Sequence, residues 1–309
     1  MNVLPAFFKL VRWPNLFFIA LTQVLFRFFI LRFIFIKSPS GFENLRLSLP
    51  LFCLLVFASV SIAAAGYIIN DYFDVNIDLV NKPSKLIIDR YIKRRWAIAL
   101  HIIFSFIGFV ISCYVGYKIR NIYIPFFNLV SIIGLWFYST TFKKKLLIGN
   151  VLISLLTAWV ILILTVSEHK IPVSLNDIYW QRLLKLSFIY AGFAFIISLI
   201  REVIKDMEDM RGDVKYGCKT MPIVWGLQVS KVFVAVWIIV IIGSVAALQF
   251  YVIHLGWWVS SLYSLLTIIF PLLYVLRKLY AAHTKKEFHH LSTVVKLIML
   301  SGILSMIFF

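Results

Sequence analysis

Long apolar runs alternate with short polar segments along the whole 309-residue chain. A helix of about 20 residues crosses a hydrocarbon core of roughly 30 Å. Backbone polar groups find no partner in that core, so each run must be helical. The pattern therefore predicts an all-α polytopic membrane protein with nine transmembrane helices. The runs lie at residues 14–36, 47–69, 96–117, 122–138, 146–166, 183–200, 232–253, 257–275 and 291–309.

The composition agrees with this pattern, because 62% of the residues are hydrophobic and only 14% are charged. A soluble domain has about 45–50% apolar and about 25% charged residues, so a soluble fold is excluded. The first run is too long for the apolar region of a signal peptide, and no small-residue cleavage site follows it. We expect it to be the first span. No change in composition marks a boundary, which predicts a single domain over residues 1–309.

The net charge of +18 indicates topology rather than a nucleic-acid partner. Basic residues accumulate in loops that stay in the cytoplasm. With nine spans, the N-terminal side carries 21 Lys/Arg and the opposite side nine. This bias predicts a cytoplasmic N-terminus in the cell inner membrane. Three scattered cysteines argue against a disulfide framework, and the six histidines show no metal-ligand spacing.

Nine of the 13 acidic residues fall in two short segments, after the second and the sixth run. Each segment contains Asp-x2-Asp-x3-Asp, and this spacing places three carboxylates on one face of a helix. Carboxylates that close repel one another unless a cation neutralises them. Mg²⁺ binds to one or two carboxylates together with substrate phosphates, so the spacing predicts magnesium sites. Asp89 and Glu208 lie off the spacing and are left out. The two triplets are Asp71, Asp74 and Asp78, and Asp206, Asp209 and Asp213.

Polar and basic residues lie beside the triplets on the same predicted side of the membrane. A diphosphate leaving group needs such donors as well as a metal, because its charge grows as it departs. Other interpretations are a solvated acidic face, an ion or phosphate transporter, a basic topology signal and an interfacial tyrosine. Transporters place ionisable groups near the midplane, whereas these acids lie at span ends. The residues are Arg12, Asn15, Tyr138, Lys143, Arg201 and Lys205.

The two motifs resemble those of the UbiA prenyltransferase superfamily. Its first motif, Asn-Asp-x2-Asp-x3-Asp, matches residues 70–78, and its second, Lys-Asp-x2-Asp-x2-Gly-Asp, matches residues 205–213. Smaller features also agree: Arg12-Trp13-Pro14-Asn15, Tyr138 with Lys143, Gly149-Asn150, and Gly217 with Thr220-Met221-Pro222. The similarity extends over nearly the whole chain. The Asp-Gly-x2-Ala-Arg motif of CDP-alcohol phosphotransferases is absent.

The resemblance implies nine helices around a central cavity, with Mg²⁺ and the diphosphate of a polyprenyl donor bound at its cytoplasmic end. Loss of diphosphate gives an allylic carbocation that the acceptor attacks. The implied catalytic residues are Asp71, Asp74, Asp206 and Asp209. The implied metal ligands are these four with Asp78 and Asp213. The implied diphosphate-binding residues are Arg12, Asn15, Asn70, Lys143, Arg201 and Lys205. Tyr138 is a candidate substrate contact.

One subgroup is especially similar, the geranylgeranylglyceryl phosphate geranylgeranyltransferases, which form the second ether bond of archaeal-type lipids. The similarity lies in residues 70–74 with Asn81-Lys82-Pro83, and in residues 201–213. It implies geranylgeranylglyceryl phosphate as the acceptor. Residues 84–90, however, lack the glycine of the usual Pro-x-x-Gly-Arg stretch near the acceptor side. An aromatic acceptor of quinone biosynthesis, such as 4-hydroxybenzoate, dihydroxynaphthoate or homogentisate, is therefore the alternative.

Overall fold

The computed structural model is helical almost throughout. Within the described residues it forms no β-strand, although an isolated bridge pairs Ile88 with Ile92. The all-α prediction is confirmed. The described residues are 3–36, 38, 41–42, 45–83, 86–169 and 177–309. Lys37 and Lys170, which were counted among the nine basic residues opposite the N-terminal side, lie outside them, and so do Ser84 and Lys85 of the stretch 84–90.

Nine helices in these ranges are long and apolar enough to cross a membrane, which confirms the nine predicted runs. Their most apolar stretches have mean hydropathies from 1.2 to 2.5. A short helix, Val3–Leu10, precedes the first of them. The nine are α1 Trp13–Phe35, α2 Leu49–Asn81, α3 Arg94–Lys118, α4 Tyr123–Thr140, α5 Ile148–Glu168, α6 Ile178–Lys215, α7 Leu227–His254, α8 Trp258–Ala281 and α9 Lys285–Phe308.

Helices α2 and α6 are much longer than the apolar runs that predicted them. They contain 33 and 38 residues. At 1.5 Å per residue they are about 50 Å and about 57 Å long, whereas the hydrocarbon core is roughly 30 Å thick. Each continues past its apolar run at the C-terminal end, and the continuation contains an acidic triplet. Both helices are therefore long enough to extend beyond the hydrocarbon core, with the acidic triplet in the extension.

The first of two compact units comprises Met1–Phe142 and Trp159–Phe188. One of its cores joins the leading helix, α2 and α3 through buried residues that include Leu10, Ile68 and Ala97. Gly108 of α3 lies so close to α2 that a Cβ there would stand 2.6 Å from Ile62. Small residues at such contacts let membrane helices approach closely, and packing then replaces the hydrophobic effect as the source of stability.

A polar cluster lies at the N-terminal end of α2, opposite the end that carries the acidic triplet. The buried Glu168 carboxylate accepts hydrogen bonds from the backbone N–H groups of Arg46 at 2.9 Å and Leu47 at 3.2 Å. Arg27, also buried, donates to the Leu47 carbonyl at 2.7 Å and lies 4.8 Å from the Phe52 ring centroid. These bonds tie the start of α2 to α1 and α5, and they satisfy polar groups that would be costly in lipid.

The second unit comprises Lys143–Ala158 and Ile189–Phe309. Its core is aliphatic and draws on α6, α7, α8 and α9, with fully buried residues such as Ile200, Val234, Leu272 and Val295. The N-terminus of α9 has a capping box, in which Thr284 and Glu287 satisfy each other's backbone N–H groups. This core supports the C-terminal part of α6, where the second acidic triplet lies.

Candidate functional site

The first acidic triplet lies on one face of α2. Asp71, Asp74 and Asp78 are all within the helix, which ends at Asn81. Their spacing of three and four residues aligns the side chains along the helix. The sequence-based prediction of helical triplets is therefore confirmed for this segment. Metal binding by these residues stays a prediction.

Arg12 contacts this triplet directly. Its Nη2 donates to Asp71 Oδ1 at 2.6 Å, and the two side chains are 36% and 18% exposed. The guanidinium also lies 5.1 Å from the Tyr67 ring centroid, a cation–π distance. The Asp71 carboxylate raises the pKa of the Arg12 guanidinium above its ordinary value. Arg12, predicted to bind diphosphate, thus holds an aspartate predicted to bind metal.

The backbone at Arg12 supports this contact at a cost in strain. Arg12 is the N-cap of α1 and adopts a left-handed conformation with φ 51° and ψ 53°. This conformation is unfavourable for a residue with a Cβ, and it persists only where surrounding contacts enforce it. Asn15, one turn further on, donates its backbone N–H to the Arg12 carbonyl at 2.8 Å. The backbone at the start of α1 therefore places the Arg12 guanidinium against Asp71 of α2.

The second acidic triplet lies on one face of α6. Asp206, Asp209 and Asp213 fall within the helix, which ends at Lys215. Asn150 of α5 donates its Nδ2 to Asp206 Oδ2 at 2.8 Å, and the asparagine is buried. The sequence assigned no role to Asn150. Its place in a Gly-Asn pair just after the basic cluster was the available signal.

Arg201 and Lys205 lie one turn apart on α6 and share one anion. Arg201 Nη1 is 3.1 Å from Glu202 Oε1, and Lys205 Nζ is 3.3 Å from Glu202 Oε2. The Arg201 Nε is buried and has no hydrogen-bond partner among the described residues. A buried N–H donor without a partner, on one of two neighbouring cations, is suited to an anionic ligand such as a diphosphate. Sequence reasoning assigned no role to Glu202.

Three other predicted diphosphate or substrate contacts lie in α2, at the end of α4 and in the segment after α4. Asn70 immediately precedes the first triplet in α2, and Tyr138 is in the last turn of α4. Lys143 belongs to the short 3-10 helix Phe142–Lys144. The carbonyl of Lys144 accepts the backbone N–H of Lys219 at 2.8 Å, which links this segment to the chain after the second triplet. The roles assigned to these side chains stay predictions.

The two acids that were left out of the triplets have partners elsewhere. Glu208, with its side chain 5% exposed, pairs with His289 Nδ1 at 3.0 Å. Asp89 pairs with Arg94 Nε at 2.8 Å at the surface. Glu208 thus links α6 to α9, and Asp89 links the segment before α3 to the first residue of that helix, which agrees with their position off the repeated spacing.

The described part of the chain contains no group of three or more Asp, Glu, His or Cys side chains already arranged to hold a metal ion. The donor set nevertheless fits Mg²⁺, a hard cation that takes carboxylate oxygens and completes its shell with water and substrate phosphates. A site of this kind needs only one or two carboxylates before the substrate binds. The metal ligands predicted from the sequence are therefore chemically suitable.

Comparisons with known proteins agree with the motifs. The sequence model of the UbiA prenyltransferase family matches residues 13–297. The digeranylgeranylglyceryl phosphate synthase of Methanobrevibacter smithii is 32% identical over 217 residues, which cover 69% of this chain and 70% of that protein.

Solved structures share the fold. A solved structure concerned with the biosynthesis of digeranylgeranylglyceryl phosphate synthase in membranes aligns with a TM-score of 0.63 at 24% identity. The alignment covers 99% of this chain and 99% of that one. A UbiA homologue from Archaeoglobus fulgidus, bound to DMAPP and Mg²⁺, aligns with a TM-score of 0.57 at 16% identity, covering 97% of this chain and 98% of that one. At these identities the similarity establishes the fold.

Proposed function

The chain belongs to the UbiA prenyltransferase family, and from that premise we propose that it transfers a polyprenyl group from a prenyl diphosphate to geranylgeranylglyceryl phosphate. Membership makes the chain a prenyltransferase, and the nine apolar helices found among its described residues make it an integral membrane protein. The observation that carries the proposed acceptor is the 32% identity to a digeranylgeranylglyceryl phosphate synthase over 217 residues.

The proposed reaction replaces one carbon–oxygen bond by another. The bond between C1 of the prenyl group and the diphosphate oxygen breaks, and its electron pair leaves with the diphosphate. The acceptor hydroxyl oxygen bonds to C1 and releases its proton, which completes an ether. Charge accumulates on the leaving group in the transition state, so groups that contact the diphosphate there lower the barrier.

The residues assigned to the diphosphate supply positive charge and hydrogen-bond donors. Arg201 offers its buried Nε, and Lys205 and Arg12 lie beside the second and first triplets. Asn15, Asn70 and Lys143 are proposed as further donors, with Tyr138 as a substrate contact. The carboxylates of both triplets would hold Mg²⁺, which supplies positive charge to the departing diphosphate. In this proposal the chain is one domain.

We also propose that the active site faces the cytoplasm from the cell inner membrane. The support is the excess of 21 Lys/Arg on the N-terminal side over nine on the other. After Cys53, Cys113 and Cys218 are replaced by serine, single cysteines at two exposed positions test it: Lys285→Cys on the predicted cytoplasmic side and Lys118→Cys on the other. An impermeant thiol reagent added to intact cells should label only the second. Labelling of Lys285→Cys alone would reverse the orientation.

An aromatic acceptor of quinone biosynthesis is the second candidate. Residues 84–90, which lack the usual glycine near the acceptor side, are the observation that favours it. Family membership leaves the ion or phosphate transporter without support.

A product assay separates the two acceptor classes. Purified protein in detergent or liposomes receives Mg²⁺ and geranylgeranyl diphosphate. Geranylgeranylglyceryl phosphate, 4-hydroxybenzoate, dihydroxynaphthoate and homogentisate are then offered separately. We expect an ether product with the glycerol phosphate alone. Prenylation of an aromatic acceptor instead would move the protein to quinone biosynthesis and overturn the proposed acceptor.

A further inference from the structure

A carboxylate sits among the cations that the proposed function assigns to the diphosphate. Glu202 Oε1 is 3.1 Å from Arg201 Nη1, and Glu202 Oε2 is 3.3 Å from Lys205 Nζ. All three side chains are mostly buried, with exposures of 13% for Glu202, 21% for Arg201 and 27% for Lys205. Glu202 therefore cancels part of the positive charge that attracts an anionic substrate.

Helix stability does not account for this arrangement. Ion pairs between neighbouring turns stabilise an isolated helix by only about 0.2–0.5 kcal/mol each. Helix α6 is 38 residues long and is held by aliphatic packing of Ile200, Val203 and Ile204, which are fully buried. A different consequence of the contact is electrostatic, because partly buried charges are less screened than exposed ones.

The contact leaves part of Arg201 unused. Its Nη1 faces Glu202, while its Nε is buried without a hydrogen-bond partner among the described residues. Glu202 thus orients the guanidinium without saturating it. A diphosphate approaching Arg201 and Lys205 would compete with Glu202 for Nη1 and Nζ, and the carboxylate would regain both contacts when the diphosphate leaves.

We propose that Glu202 is a positioning residue that holds Arg201 and Lys205 in the donor-free enzyme, competes with diphosphate for them, and so promotes release of the diphosphate product. The inference rests on the proposed prenyl transfer. It assigns Glu202 no contact with substrate, because it acts through the two cations.

The test is inhibition of the full-length protein by inorganic diphosphate in the presence of Mg²⁺. Glu202→Gln keeps the shape and removes the charge. Its inhibition constant should fall by on the order of tenfold, equivalent to about 1.4 kcal/mol. The donor KM should fall with it, because the competing anion is gone. Glu202→Asp, which keeps the charge, should stay near the wild-type inhibition constant. If Glu202→Gln does not fold, Glu202→Ala must give the same direction of change.

Glu208→Gln is the matched control, since Glu208 lies on the same helix but pairs with His289. Its inhibition constant should equal that of the wild type. Unchanged or weaker inhibition of Glu202→Gln would overturn the role of Glu202, and so would an equal shift in Glu208→Gln. A wild-type protein that transfers no prenyl group would overturn the proposed function instead.

Discussion

The two acidic triplets have the same spacing, yet their leading aspartates have different partners. Asp71 is paired with the guanidinium of Arg12, which reaches it from the start of α1. Asp206 accepts a hydrogen bond from the neutral amide of Asn150 on α5. Glu202, which is not a member of the triplet, contacts both cations next to it, Arg201 and Lys205.

This difference separates two ways of preparing a carboxylate for a metal. A cation partner compensates the charge of Asp71 and would have to be displaced or shared if Mg²⁺ binds there as proposed. An amide partner orients Asp206 without adding charge, as residues behind a metal ligand commonly do. Equal spacing therefore does not imply equal roles. We expect the function of the first triplet to depend on the positive charge of Arg12. We expect that of the second to depend on the orientation that Asn150 gives to Asp206.

Removal of the metal is expected to have the largest effect, because both triplets serve it in the proposed mechanism. EDTA should silence prenyl transfer, and added Mg²⁺ should restore it. The measurement is product formation during a titration of Mg²⁺ after chelation. Transfer that survives complete chelation would contradict a metal role for either triplet.

Loss of a central aspartate is expected to come next. Asp74→Asn and Asp209→Asn should each lower kcat by about 10³-fold, since each removes a charge that the proposed metal needs. Asp89→Asn is the matched control because Asp89 lies off the spacing and pairs with Arg94. It should retain nearly full activity. Size-exclusion chromatography checks that all three variants fold. A fully active Asp74→Asn protein would remove the metal assignment from the first triplet.

Loss of the partners is expected to have smaller effects that differ between the triplets. Arg12→Ala should lower kcat/KM by roughly 10²-fold, because a charged donor is lost. Asn150→Ala should lower it by about tenfold and raise the Mg²⁺ concentration needed for half-maximal rate. Asn128→Ala serves as the control for losing a buried amide, since the side chain of Asn128 bonds to Ser112 and Trp159. The same Mg²⁺ dependence in Arg12→Ala and Asn150→Ala would abolish the distinction.

The extent of the helices was only partly predictable. The nine spans follow from apolar runs, because a backbone in lipid must be helical. The length of α2 and α6 does not follow from apolarity, since the added turns are polar and contain acids. The spacing Asp-x2-Asp-x3-Asp indicated that the helices continue, because it aligns the three carboxylates only in a helix. Both segments are helical in the structure.

By itself the sequence determined the fold class, the nine spans and the two helical faces that carry the acids, because these depend on composition and on local periodicity. The pairing of Glu202 with Arg201 and Lys205 could also have been predicted from the sequence, because these residues are only one and three positions apart. Only the tertiary structure decided that Arg12 meets Asp71, 59 residues away, and that Asn150 meets Asp206, 56 residues away. Such contacts depend on how separate helices pack, and helix periodicity carries no information about the neighbour that a face will meet.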